Sequence, residues 1–185
     1  MGSIVTTYTL VFQRAGWSSG SQAGIRRKRR TAHGHRYHRP VISRVHSFVL
    51  RGIDAVACEI EVQLSKAQTP GQAIVGLPDA AVKESIRRVW AAIYNSGFRI
   101  PRAFATINLA PATVRKEGPV YDLPIAVGVL LSGRTIRPPP NNGIAAVDEY
   151  LIAGEVALDG RLRPIRGAII LAQLAATLGK RGVIV

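Results

Sequence analysis

From Ser47 onward the chain sorts its apolar and polar positions with the periods of regular secondary structure. Residues 48–50 and 56–64 read as strands; in the second, Val56, Cys58, Ile60, Val62 and Leu64 alternate with Ala57, Glu59, Glu61 and Gln63, so one face is apolar and the other wet. After the turn at Thr69-Pro70-Gly71, residues 73–75 form a short strand that ends at Gly76-Leu77-Pro78-Asp79. The spacing then predicts a helix over 80–94, with Val82, Ile86, Val89, Trp90 and Ile93 on one side and Lys83, Glu84, Arg87 and Arg88 elsewhere. Asn95-Ser96-Gly97 supplies its stop, because Gly97 is free to adopt a left-handed conformation.

Residues 103–109 return to period two, with Ala103, Ala105, Ile107 and Leu109 on the apolar side. Asp122 is expected to cap a buried helix that ends near Leu131. Residues 137–143, with three consecutive prolines, are expected to be a surface loop. Residues 150–153 and 156–158 read as strands, the second closed by a two-residue turn at Asp159-Gly160 and returning through Arg161-Leu162-Arg163. A helix over 168–178 stopped by Gly179 and a strand beginning at Gly182 complete the pattern. A strand opening this close to Val185 would leave its backbone groups without partners, and suggests a fold that continues beyond the last residue.

Composition narrows the class. A chain of 185 residues that is 47% hydrophobic but only 6% aromatic can bury one core, built mostly from aliphatic side chains. No stretch reaches the length of about 18 apolar residues that a membrane helix needs. The single cysteine, Cys58, cannot form an internal disulfide and is expected to be an inert core residue, which suits a reducing cytoplasm.

The net charge of +14 is unevenly placed. Residues 1–40 hold eight of the 25 Lys and Arg and no acid, leaving 17 basic against 11 acidic residues, or +6, over 41–185. Residues 1–40 lack apolar periodicity and contain Arg26-Arg27-Lys28-Arg29-Arg30 with His33, His35 and His38, which reads as a disordered basic extension, either a nucleic-acid-binding arm or a segment upstream of a start near Val41 or Val45. The arginines follow the short apolar stretch instead of preceding it, which excludes a secretory signal.

Candidate chemistry is sparse. Gly128-Val129-Leu130-Leu131-Ser132-Gly133-Arg134-Thr135 has the spacing of a phosphate-binding loop, but Arg134 stands where lysine is needed and the string ends a helix instead of opening one. Glu59 and Glu61 share a strand face without a partner for acid–base work, and residues 41–185 hold no Cys or His pair at metal-ligand spacing. The exposed cations remain as candidate phosphate contacts: Lys83, Arg87 and Arg88 on the helix, and Arg99, Arg102, Arg115 and Lys116 at loop or strand edges.

Several strings together carry a family resemblance: Ser43-Arg44-Val45-His46-Ser47, Ile74-Val75-Gly76-Leu77-Pro78-Asp79-Ala80-Ala81-Val82-Lys83-Glu84-Ser85, Ile107-Asn108-Leu109-Ala110-Pro111-Ala112, Arg115-Lys116-Glu117-Gly118, Tyr121-Asp122-Leu123-Pro124-Ile125-Ala126, and Gly154-Glu155 through Leu158-Asp159-Gly160-Arg161-Leu162-Arg163-Pro164. In this order they resemble the magnesium chelatase-like ComM (YifB) family over residues 41–185, in its N-terminal ChlI-type domain. The resemblance implies an α/β (α+β) fold with a mixed sheet packed against helices, of the type seen in domain 2 of a ribosomal small-subunit protein and in Lon protease. It implies that this domain precedes an AAA+ ATPase module, which would hold ATP and Mg and assemble a homo-hexamer, and that the whole supports DNA branch migration in natural transformation. A Lon-like Ser-Lys dyad is not expected, since residues 118–124 contain no serine and Gly167-Ala168-Ile169-Ile170-Leu171 contains no lysine. The expectation is a cytoplasmic, non-catalytic accessory domain without cofactor or metal of its own, with a purely structural or subunit-contact role as the alternative.

Overall fold

The computed structural model describes residues 41–136 and 147–185. The expectations for residues 1–40 and for the loop at 137–143 therefore fall outside the described residues. Strands β1 (Ile42–Arg51) and β2 (Asp54–Lys66) form a hairpin in which Val45 stands opposite Ile60 and Ser47 opposite Cys58. β3 (Gly71–Val75) leads through α1 (Ala80–Asn95) to β4 (Ala103–Ala110). The sheet order is β1-β2-β4-β3, with β4 antiparallel to β2 and parallel to β3. The parallel pair exists because α1 carries the chain back to the starting edge before β4 begins.

The even-numbered side of β2 meets α1 and α2 (Asp122–Ser132) in one core, where Ile60, Val62, Val82, Val89, Ile107 and Ile125 are buried. Beyond it, β5 (Tyr150–Ile152) pairs in parallel with β8 (Gly182–Ile184) across α3 (Ala168–Thr177), and β6 (Glu155–Val156) pairs antiparallel with β7 (Leu162–Arg163). The result is a mixed α/β fold whose main sheet is itself mixed and packs against helices.

Two local expectations need correction. Asp122 is not an N-cap: the short 3-10 turn Pro119–Tyr121 runs straight into α2, so Asp122 is the first helical residue and its carboxylate points at other elements. The β6–β7 connection is also one residue longer than expected. The amide of Ala157 donates to the carbonyl of Arg161 at 2.8 Å and that of Gly160 to Ala157 at 2.9 Å, so Leu158-Asp159-Gly160 is a three-residue loop. Gly160, at φ 85°, takes the left-handed position that such a loop requires.

The phosphate-loop lookalike has a packing explanation. A Cβ on Gly128 would lie 2.7 Å from a Val62 methyl, so the glycine lets α2 approach β2 closely. The Ser43 hydroxyl donates to the Gly128 carbonyl at 2.7 Å, and Ser132 Oγ accepts from the Leu64 amide while donating to the Val41 carbonyl. These groups join helix to sheet, and no helix start faces outward there to receive an anion.

Candidate nucleic-acid interface

Helix α1 is positioned at its start by Asp79. One carboxylate oxygen accepts from the Val82 amide at 2.7 Å and the other from the Gly118 amide at 3.1 Å, which caps the helix and ties it to the loop after β4. From this anchored end, Lys83, Arg87, Trp90 and Tyr94 follow at intervals of three and four, which places them along one side of the helix. At the far end Gly97, at φ 81°, turns the chain so that residues 98–102 come back beside α1. Pro70, Trp90, Tyr94, Phe98, Pro101 and Arg102 line a cavity of about 420 Å³ there.

The seven cations singled out in the sequence divide sharply. Lys83, Arg87, Arg99 and Arg102 are exposed, and none of them forms an ion pair among the described residues. Arg115 is exposed, but its guanidinium lies 3.4 Å from Glu117. Arg88 is turned inward: Nε and Nη2 reach the two oxygens of Asp122 at 3.0 and 3.2 Å. That hydrogen-bonded carboxylate holds the guanidinium above its ordinary pKa, while burial is the largest influence on Asp122 and raises its carboxyl.

Lys116 corrects the expectation of an exposed cation. It is fully buried, and Nζ donates to the carbonyls of Leu109, at 2.8 Å, and Pro111. Its backbone bonds to the β3–α1 connection on both sides, the Lys116 amide to Leu77 O and the Asp79 amide to Lys116 O. Burial pulls the ammonium below the usual lysine range. A group so enclosed cannot reach a phosphate. It stitches the end of β4 to the loop that follows.

Sequence reasoning missed the cavity beside α1, although its signal was present: Trp90, Tyr94 and Phe98 stand four residues apart in a chain poor in aromatics. Elsewhere the chemistry is quiet. Burial pushes the Cys58 thiol up to about 12, and no group of three or more His, Cys, Asp or Glu among the described residues could hold a metal ion. No helix of the described residues is long and apolar enough to cross a membrane.

Residues 60–185 match the family described as Subunit ChlI of Mg-chelatase, which makes this a chelatase-subunit-like domain. The chain is 42% identical over 140 residues to the uncharacterized protein YifB of Escherichia coli, covering 76% of this chain and 26% of that protein. It is 39% identical over 141 residues to the competence protein ComM of Haemophilus influenzae, covering 76% of this chain and 26% of that one. The chain belongs to this magnesium chelatase-like family, in its ComM/YifB branch, and spans about a quarter of the length of the curated relatives it matches.

Proposed function

We propose that this is a non-catalytic accessory domain of a ComM-type protein and that it contacts DNA through phosphates along α1 and the loop after it. The observation that carries this reading is the grouping of Lys83, Arg87, Arg99 and Arg102, all exposed and outside any ion pair among the described residues. Guanidinium and ammonium groups that face no protein carboxylate are available to an external polyanion. That the Haemophilus influenzae relative is a competence protein is in keeping with a role in DNA processing such as branch migration during transformation. The fold is compatible with the ribosomal and Lon-type domains named above, but the Ser-Lys dyad positions are empty of those residues. In the longer proteins an AAA+ module would supply ATP and Mg binding and hexamer formation, in the cytoplasm.

A subunit-contact role without DNA is favoured by a different feature: Val75, 49% exposed on the edge strand β3, and Leu77, 55% exposed just beyond its end. The two readings separate on salt. The 185-residue chain, with Arg26, Arg27, Lys28, Arg29 and Arg30 all changed to Gln, should bind a labelled DNA duplex at low salt. The logarithm of affinity should fall linearly with that of salt concentration. Changing Arg87 and Arg102 to Glu should abolish most of this binding. No affinity at low salt, or affinity unaffected by the two reversals, would reject DNA contact by this surface.

A further inference from the structure

We propose that the cavity beside α1 receives an unpaired base of a single-stranded nucleic acid, stacked on Tyr94 and Trp90, with Arg102 and Arg99 at the adjoining phosphates. The inference rests on the DNA-contact reading above and sharpens it from polyanion binding to recognition of single strands. Three observations converge. The cavity, at about 420 Å³, is lined by three aromatic side chains and two prolines, and lies within the size range of small-ligand sites. Tyr94 is 79% exposed at its rim, which leaves its ring available for stacking. The surroundings are cationic: Lys83, Arg87, Arg99 and Arg102 are exposed and outside any ion pair among the described residues, and Arg102 itself lines the cavity.

An apolar peptide would fill the cavity but leave the arginines without a role, and a duplex would satisfy the arginines but present no free base face. A single strand uses both, because every base offers a stacking face and every linkage a phosphate. Trp90 is held by the core beneath it, so the platform is rigid on one side, while Tyr94 is free to close over a base from the other.

Oligothymidylate, an abasic strand matched to it in length and charge, and a duplex test the proposal on the 185-residue chain with its basic N-terminal run changed to Gln and Trp17→Phe, so that Trp90 is the only indole. Oligothymidylate should quench Trp90 fluorescence, whereas an abasic strand, with phosphates but no bases, should not. Tyr94→Ala should weaken oligothymidylate binding by about 5- to 100-fold and leave duplex affinity unchanged, and Tyr94→Phe should restore it. Equal binding of the abasic strand, absence of quenching, or indifference to Tyr94→Ala would overturn the proposal. If duplex binding still depends on Arg87 and Arg102 in that case, the phosphate-contact reading survives alone; if no oligonucleotide binds at low salt, both fall. A change in oligomeric mass with Tyr94→Ala, without a change in strand affinity, would assign the cavity to a second copy of the chain and likewise overturn it.

Discussion

Arg88 places two guanidinium nitrogens against the two carboxylate oxygens of Asp122, a residue with no solvent exposure, and so bolts α1 to α2. The same carboxylate accepts from the Val156 amide at 3.3 Å, which brings β6 into the joint. Removing one partner strands a buried charge, whereas removing both does not. Arg88→Ala is therefore expected to cost about 3 to 5 kcal/mol. The double change Arg88→Met with Asp122→Leu should cost less than Arg88→Ala alone, as read from urea unfolding of each variant.

Lys116 answers for two carbonyls at once. Lys116→Ala leaves both without donors and opens a void where the alkyl stem lay, for an expected loss of about 3 kcal/mol. Arg115→Ala, one residue away on an exposed side chain, should move the unfolding midpoint little. A comparison of denaturant midpoints checks both.

Cys58 should be silent toward thiol reagents at pH 8 in the folded protein, because burial keeps it protonated up to about 12 against an ordinary 9.0. Labelling should become complete in denaturant. Rapid labelling of the native chain would show that β2 opens far more readily than its packing implies.

His46 lies beside Glu59, with Nδ1 at 3.8 Å, and Lys180 and Asp148 also act on it. Burial, followed by Lys180, holds its pKa below 6.5 despite the two acids. The unfolded chain therefore takes up this proton first as pH falls. Stability from this site is intact above 6.5 and declines as the pH drops from there toward the folded value. His46→Gln should flatten that part of a stability–pH curve measured by thermal unfolding.

Gly128→Ala forces a methyl into Val62 and should lower the unfolding temperature by several degrees, equivalent to about 1 to 3 kcal/mol. Val62→Ala in the same chain should recover part of the loss, since the clash is with that side chain.

α1 and β4 could be read directly because their side-chain periods are local, whereas β1 spans Ile42–Arg51 where only 48–50 is expected. α1 runs over Ala80–Asn95 where 80–94 was expected, and β4 over Ala103–Ala110 where 103–109 was expected. What could not be read depends on distant partners. Nothing near Gly182 shows that β8 lies parallel to β5, since that pairing spans some thirty residues. Arg115-Lys116-Glu117 looks like any charged loop, and the carbonyls that draw Lys116 inside belong to the end of β4 and its turn. Arg88 reads as one of several polar positions on α1 until α2 brings Asp122 against it. Trp90 stands at the border of the apolar stripe of α1, packed against the core yet on the side that carries Lys83, Arg87 and Tyr94, and the stripe gives no hint that residues 98–102 fold back to leave a hollow beside it.

The divided carboxylate of Asp79 has a mechanical meaning. By holding the first turn of α1 with one oxygen and the Gly118 amide with the other, it makes the helix root and the strap leading to α2 a single lever. A pull on the outer flank of α1 would be delivered at its root to residues 116–118, which bond directly to residues 77 and 79, and need not pass through the core.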